Sequence, residues 1–502
     1  MSDSVRSFPH PLYEQVVLQP YFKDAMKYYF EPILAANKAH AVVLRKSGII
    51  DLANAQALLR ALIDIENDDP ATTAYKSGVE DLFFAIENRL IADIGPAYGG
   101  NIQLGRSRND LGYALTRLAI RPLQLGTIRC LLDFRSTVLS FARRHLNTLM
   151  PGYTHTQPAQ PTTMAHYMAG VLSFLERDTK RMWFAYETNN ASPLGAAALT
   201  GTGFPVDREL SADLLGFDGV MPSTYDSIAA SDNLTDVANA LSSLAVNLSR
   251  FTHDMLFWAT QESGAIRLDD SFIQISSIMP QKRNPVVLEH LRARSSRMLA
   301  QAQGIITQAH NIPYGDTQDI EDEIFPMLFG SLETSVEILR LYGAVIDTLH
   351  VNVERLHRRA IAGFTTVTEL ADTLVREAHI SFRQAHSIVS GIVTHALAHD
   401  LSPDDLNSDL LAEIAQDKSG LEIRLSDAAL RHALDPVAFV NKRSGYGGSA
   451  PLATATILDG TEAQITIDQE SYDGALGKLE QANHTLLREI DAIMSGSEDE
   501  ER

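Results

Sequence analysis

Residues 234–258 read LTDVANALSSLAVNLSRFTHDMLFW. The large apolar side chains fall at Leu234, Val237, Leu241, Leu244, Leu248, Phe251, Met255 and Trp258. The steps between them alternate three and four, which is the seam of a long helix in a bundle. Phe329, Leu332, Val336, Leu339, Gly343 and Ile346 repeat the pattern. Both seams lie in stretches free of proline, from Pro222 to Pro280 and from Pro326 to Pro403. A third such stretch runs from Pro122 to Pro151. A strand would need period two, and no comparable run of that kind stands out. The expectation is an all-α chain built on a central bundle of very long helices.

Outward from the bundle, 502 residues suggest about three domains. A glycine break at Ala362-Gly363-Phe364 and the change of composition after it divide the chain into 1–107, a helical N-terminal domain, 108–362, the long-helix bundle, and 363–494, a helical C-terminal domain. Residues 495–502 read as an acidic, frayed tail. Within the C-terminal part, Thr368 to His399 reads as helical and Tyr446 to Pro451 as a turn-rich loop. The hydrophobic fraction, 45%, supports a packed core. Lysine plus arginine is 42 and aspartate plus glutamate 63, so the formal charge is 42 − 63 = −21. That argues against nucleic acid or an anionic membrane as partner, since both attract a basic surface. The single cysteine, Cys130, excludes an internal disulfide and a thiol-rich metal site. No leader and no long apolar run is visible, so a cytoplasmic protein without a membrane span is expected.

Three polar strings interrupt the helical pattern. The first is Gln103-Leu-Gly-Arg-Ser-Arg-Asn-Asp110. Its arginines could grip carboxylates bidentately, or the string could cap the next helix with Asn109 or Asp110. The second is Gly152-Tyr-Thr-His-Thr-Gln-Pro-Ala-Gln-Pro161, where His155 could move a proton near neutral pH or could be a plain turn histidine before a helix. The third is Ser276-Ser-Ile-Met-Pro-Gln-Lys-Arg-Asn-Pro285, in which a helix start beside Lys282 and Arg283 makes an anion site. It is the most specific of the three, because capping alone rarely needs so long a mixed string.

This third string resembles the signature of the fumarase/aspartase superfamily, whose members eliminate fumarate from substituted succinates. Ile275 stands where the superfamily usually has glycine. The flanking strings are similar to its argininosuccinate lyase branch: Gly105-Arg-Ser-Arg-Asn-Asp110, Gly152-Tyr-Thr-His155, Ser192-Pro-Leu-Gly-Ala196, Thr200-Gly-Thr-Gly-Phe-Pro205, Gly363-Phe-Thr-Thr-Val-Thr-Glu-Leu-Ala-Asp372, Phe382-Arg-Gln-Ala-His386 and Gly447-Gly-Ser-Ala-Pro451. The resemblance implies an all-α homotetramer on a twenty-helix core, with each active site gathered from three subunits. The leucine seams would then bury against partner helices as well as their own chain. It implies anti elimination of argininosuccinate to fumarate and arginine, the last step of arginine biosynthesis, with neither metal nor organic cofactor.

By the same resemblance Ser276 is the base, assisted by the cation Lys282, with Asn284 a substrate donor. Ser107, Arg108 and Asn109 hold the substrate's carboxylates, and Gln160, Thr154 and Tyr314 position it. His155 protonates the leaving nitrogen. A glutamate thirteen residues after the serine orients it in the family, and 276 + 13 = 289 is Glu289. A dicarboxylate would meet Arg106, Arg108, Lys282 and Arg283.

The departures lie elsewhere. Gln103 and Phe83 stand where the branch usually has histidines. The loop Tyr314-Gly-Asp-Thr-Gln-Asp-Ile-Glu-Asp-Glu323 has lost the branch's lysines and is strongly acidic; its spacing is not that of a calcium loop. An early Trp-Gly-Gly-Arg-Phe string is absent. The fumarate-forming half is therefore expected intact, with the leaving group open. The alternative is the same elimination on another N-substituted aspartate such as ethylenediamine disuccinate; adenylosuccinate and a non-catalytic structural homologue fit less well. A phosphate-binding reading of Gly195 to Gly203 is weak, since no strand precedes it.

Overall fold

The computed structural model describes residues 8–497, so 498–502 of the expected acidic tail lie outside the described residues. After a helical stretch over 11–28 come three helices, α1 (Phe30–Lys46), α2 (Leu52–Asn67) and α3 (Leu82–Ile94). Asp51 and Asp81 cap the second and third, each accepting a backbone N–H three residues on. Then comes α4 (Arg108–Arg144), 37 residues long. A hairpin follows, β1 (Leu149–Thr154) and β2 (Gln157–Thr163), leading into α5 (Met164–Asn189). The opening stretch lies in α6 (Asp232–Ala259). Two short strands, β3 (Gln274–Ile275) and β4 (Arg283–Asn284), pair antiparallel before α7 (Val286–Ala309) and α8 (Phe325–Asp347). The C-terminal part contains α9 (Val367–Ala378), α10 (Phe382–Ala398), α11 (Ser408–Ser419) and α12 (Pro451–Ser495).

Helices α4 to α8 form the bundle: α4 packs on α5 and α8, α5 on α6, and α7 on α6 and α8. Their directions alternate along the chain. Arg117, early in α4, donates to the carbonyls of Thr188 and Asn189 at the end of α5. Asn233, at the start of α6, reaches Asn189. Thr252 late in α6 meets Tyr342 late in α8, so those two run parallel. One end of the bundle therefore holds the start of α4 and the 310–324 connection. The other holds the β1–β2 hairpin and the 260–285 connection.

The seam from Leu234 to Trp258 is buried, no member more than 4% exposed. This corrects one expectation: these side chains are covered wholly by their own chain, leaving none for a partner. Pro122 corrects another. Helix α4 begins at Arg108 and runs through the proline. An internal proline removes a helical hydrogen bond and costs about 3 kcal/mol; packing of α4 on α5, α8 and α12 offsets it. Period two is also present, in the β1–β2 hairpin, where Pro151, Pro158 and Pro161 hide it. A two-stranded ribbon has only edges, so those prolines break no inner ladder.

At the expected break, Gly363 and Phe364 both have positive φ, 78° and 59°. Beyond it a second apolar cluster runs from Phe364 to Leu434. Helix α12, grouped by sequence with this region, returns to the main core through Leu458, Leu486, Ile490 and Ile493. It also carries Asp468, which pairs with the fully buried guanidinium of Arg135 on α4 and accepts from Gln464 at 2.8 Å. Removing one partner of a buried pair strands the other charge. Asp468→Ala is expected to cost about 3–5 kcal/mol, read as a lower urea midpoint; an unchanged midpoint would show that Arg135 finds water. No helix among the described residues is long and apolar enough to cross a membrane.

Candidate active site

The first polar string starts α4. Ser107 is the N-cap, not Asn109 or Asp110. Its hydroxyl donates to Asn109 Oδ1 at 2.8 Å, and Asp110 Oδ1 accepts the Ser107 N–H at 2.9 Å, closing a capping box. Asp110 is fully buried, and burial pushes its carboxyl up to about 6. Its other oxygen accepts the N–H groups of Gly195 (2.9 Å) and Ala197 (3.0 Å). Those are donors a phosphate would need, so the glycine-rich loop is tied to the start of α4 instead.

Arg106 is 8% exposed, bonded to Asn37 Oδ1 at 2.7 Å and to Gln103. It holds the loop together and is removed from the arginines that could meet a substrate. Gln103, one of the departures, thus has a packing role. Arg108 is half-exposed and forks onto Glu80 (2.8 Å) and Asp81 (2.9 Å), with its guanidinium 4.9 Å over the Phe84 ring. Arg283 pairs with Asp270. Of the four cations expected to meet a dicarboxylate, Arg108 and Arg283 are paired with carboxylates, Arg106 is held by neutral amide oxygens, and Lys282 has no side-chain hydrogen bond or ion pair among the described residues.

In the second string, Thr154 pairs with Gln157 across a two-residue turn. The turn residues His155 and Thr156 both have positive φ, 51° and 62°. That is the conformation of a tight hairpin turn, usually held by asparagine and glycine. A β-branched residue there is strained, and such strain gathers at functional sites. The turn presents His155 to solvent. Behind it, Tyr153 packs edge-on to Phe257 of α6, and Gln160 donates to Thr368 Oγ1 at 3.0 Å.

In the third string, β3 and β4 pair Gln274 with Asn284 and Ile275 with Arg283. The next residues inward are Ser276 and Lys282, so the ladder sets these two on the two stems of one loop. Ser276 Oγ accepts the N–H of Met279 at 3.1 Å and of Ile278 at 3.4 Å. Donors aimed at that oxygen favour its deprotonated form. Glu289 lies exposed in the first turn of α7. No hydrogen bond or ion pair joins Glu289 to His155 among the described residues, so the expected pair is not formed within one chain.

The acidic loop lies at the far end, beside Arg108. Tyr314 is exposed, stacked on Tyr225 at 5.9 Å and bonded to Asp226. Burial raises Glu321 to about 8, helped by Asp316 and Asp322; burial also raises Asp322 to about 7. Gly112 lets Glu321 approach α4: a Cβ there would lie 2.5 Å from Glu321 Oε1. The sequence shows the acidity of this loop; it carries no signal for Tyr113, Glu80 or Asp81 as its neighbours.

The three strings do not meet in one chain. Arg108 starts α4, and the hairpin bearing His155 follows its end, about 55 Å away at 1.5 Å per residue over 37 residues. Ser276 follows α6 at that same distant end. Among the described residues no group of three or more His, Cys, Asp or Glu side chains could hold a metal ion.

A family model described as Lyase matches residues 26–300, and one described as Argininosuccinate lyase C-terminal matches 364–441. The argininosuccinate lyase of Methanocorpusculum labreanum is 34% identical over 93% of this chain and 94% of its own. Argininosuccinate lyase 2 of Agrobacterium fabrum is 37% identical over 88% of each. Among solved structures, EDDS lyase in complex with formate superposes with a TM-score of 0.87 at 30% identity, covering 98% of this chain and 97% of that one. The class II fumarase of Schistosoma mansoni shares the fold, with a TM-score of 0.68 at 17% identity. The chain belongs to the argininosuccinate lyase family.

Proposed function

We propose that the protein cleaves argininosuccinate by anti elimination, releasing fumarate and arginine, in a homotetramer whose active sites each draw on three subunits. The observation that carries this reading is the Ser276 loop. A serine hydroxyl is far too weak an acid to ionise unaided at neutral pH. Here its oxygen sits on two backbone N–H groups, on a loop whose other stem is Lys282. That environment suits a base that takes a proton from the carbon beside a carboxylate. Lys282 and Asn284 would meet the carboxylate on which charge develops. His155, on its strained turn, would protonate the departing nitrogen, with Thr154 and Gln160 beside it. Glu289 of another subunit would fix its tautomer.

Arg108 with Ser107 and Asn109 would take a substrate carboxylate, which must displace Glu80 and Asp81 from the guanidinium. The helix length separating Arg108 from Ser276 supports a site shared between subunits. So does α7, whose exposed face carries Glu289, Ala293, Ser296, Ala300, Gln303 and Thr307, again at steps of four and three. Small side chains in such a stripe allow a partner helix to come close.

A second reading keeps the chemistry and changes the amine, with ethylenediamine disuccinate as the model substrate. The half-buried carboxylates Glu321 and Asp322 support it, since they stand where the argininosuccinate lyase branch's lysines are absent. Purified protein incubated with argininosuccinate, ethylenediamine disuccinate and adenylosuccinate, with fumarate followed by ultraviolet absorbance, decides between them. Fastest release is expected from argininosuccinate. No fumarate from any of the three, from an intact assembly, would sink both readings.

A further inference from the structure

Two strings singled out in the sequence, 363–372 and 447–451, take no part in the proposed chemistry, yet both close on the base of the hairpin that carries His155. A two-stranded ribbon has little stability of its own. The bundle supports it through Tyr153 on Phe257. The C-terminal part supports it at three further places. Leu149 of β1 packs in an apolar cluster with Ala360, Phe439 and Val440. Gln160 of β2 donates to Thr368 Oγ1 at 3.0 Å. His166, at the start of α5, donates from Nε2 to the Gly447 carbonyl at 3.1 Å, and its Nδ1 meets Thr162 Oγ1 of β2 at 2.8 Å.

One carboxylate joins these contacts. Glu369 follows Thr368 in α9 and is 3% exposed. Its Oε1 accepts from Lys442 at 2.9 Å and from Arg376, and its Oε2 accepts from Arg443 at 2.7 Å. Arg443 also lies 3.3 Å over the Phe439 ring. Gly448 folds back against it: a Cβ there would lie 2.1 Å from the Arg443 carbonyl oxygen. The segment from Phe439 to Gly447 is thereby fixed to α9, and the two together grip both strands. Thr368 holds β2 at Gln160, and the Thr156 turn lies about 13 Å further along the strand, so a tilt at the base is magnified at the turn. With one N–H of its amide on Thr368, Gln160 keeps its oxygen and second N–H for a ligand. We propose that Thr368 and Glu369 are positioning residues for the elimination: Thr368 orients the Gln160 amide, and Glu369 holds the seat on which the His155 turn stands. The inference rests on the lyase reading and extends it to residues that act through the hairpin, not on the substrate.

The test compares two replacements of Thr368, whose side chain is exposed. Thr368→Val keeps the branched shape and removes the oxygen; Thr368→Ser keeps the oxygen and removes the methyl group. Arg108 and Lys282 lie outside the clamp, so a displaced hairpin shows in turnover, not in substrate affinity. Valine is expected to lower kcat for fumarate release about tenfold with KM within about threefold, and serine to keep at least about half of the parent's kcat. A role in packing alone gives the reverse order. That order, or equal kcat in the two variants, overturns the proposal. Glu369→Gln should lower kcat as well, with Glu369→Asp recovering part of it; parental kcat in Glu369→Gln overturns the role given to Glu369. If Glu369→Gln fails to fold, Lys442→Ala, which removes one half-exposed partner, takes its place with the same outcomes. If the parent turns over no substrate, the lyase reading fails on its own. Hydrogen exchange of the 149–163 amides still reads the clamp: it should be faster in Thr368→Val than in the parent and in Thr368→Ser, and unchanged exchange overturns the proposal.

Discussion

Ser276→Ala is expected to lower kcat/KM for fumarate release by about 10³-fold while leaving the assembly and its thermal midpoint unchanged. A positioned general base contributes on the order of 10²–10⁴ to rate. Alanine removes the only atom of residue 276 able to take the proton. It removes little else. Among the described residues the hydroxyl is bonded only to the N–H groups of Ile278 and Met279, within its own loop. Those donors stand at an exposed stretch, where water replaces the oxygen. The β3–β4 ladder that frames the loop is made by backbone at Gln274, Ile275, Arg283 and Asn284 and does not depend on the side chain. Fumarate release followed by absorbance, beside size-exclusion and melting profiles, checks both halves. Activity within tenfold of the parent would remove Ser276 as base.

The bundle was legible because burial imposes a period. Each seam residue from Leu234 to Trp258 is apolar for the same reason, and the alternation of three and four has one helical solution. The hairpin was not legible. Prolines at 151, 158 and 161 hide the alternation, and the turn uses His155 and Thr156 in a conformation neither residue type advertises. Candidate site residues were found by their strings, but strings carry no partners. Arg106 and Arg108, two positions apart, have opposite fates: one locked to Asn37 and Gln103, the other laid across Glu80 and Asp81. Nothing in Gly105-Arg-Ser-Arg-Asn-Asp110 separates them. The acidic residues that pair with Arg108, Glu80 and Asp81, come from just before α3, and only the folded chain brings them to it. Glu289 and His155 stand at the opposite limit: the family resemblance nominates the pair, and one chain leaves it unmade.

A mixed assembly of Ser276→Ala and Arg108→Ala chains is expected to recover activity that neither variant has alone. Arg108 begins α4 and Ser276 lies beyond the end of α6, so within one chain the length of the bundle stands between them. If both serve one site, they come from different subunits. In a closed symmetric oligomer every site then takes its serine from one chain and its arginine from another. With equal random mixing, half of the serines and half of the arginines are intact, independently, so about a quarter of the sites are whole. Each variant alone has none. Co-expression with two different affinity tags, followed by purification through both, isolates assemblies containing both chains. Their fumarate release should rise well above the mean of the two pure variants, toward about a quarter of the parent's. Assemblies no more active than that mean would place both residues' contributions within one chain, or deny one of them a part in the reaction. Separate assays of the two pure variants distinguish these outcomes, since a residue outside the reaction leaves its own variant active.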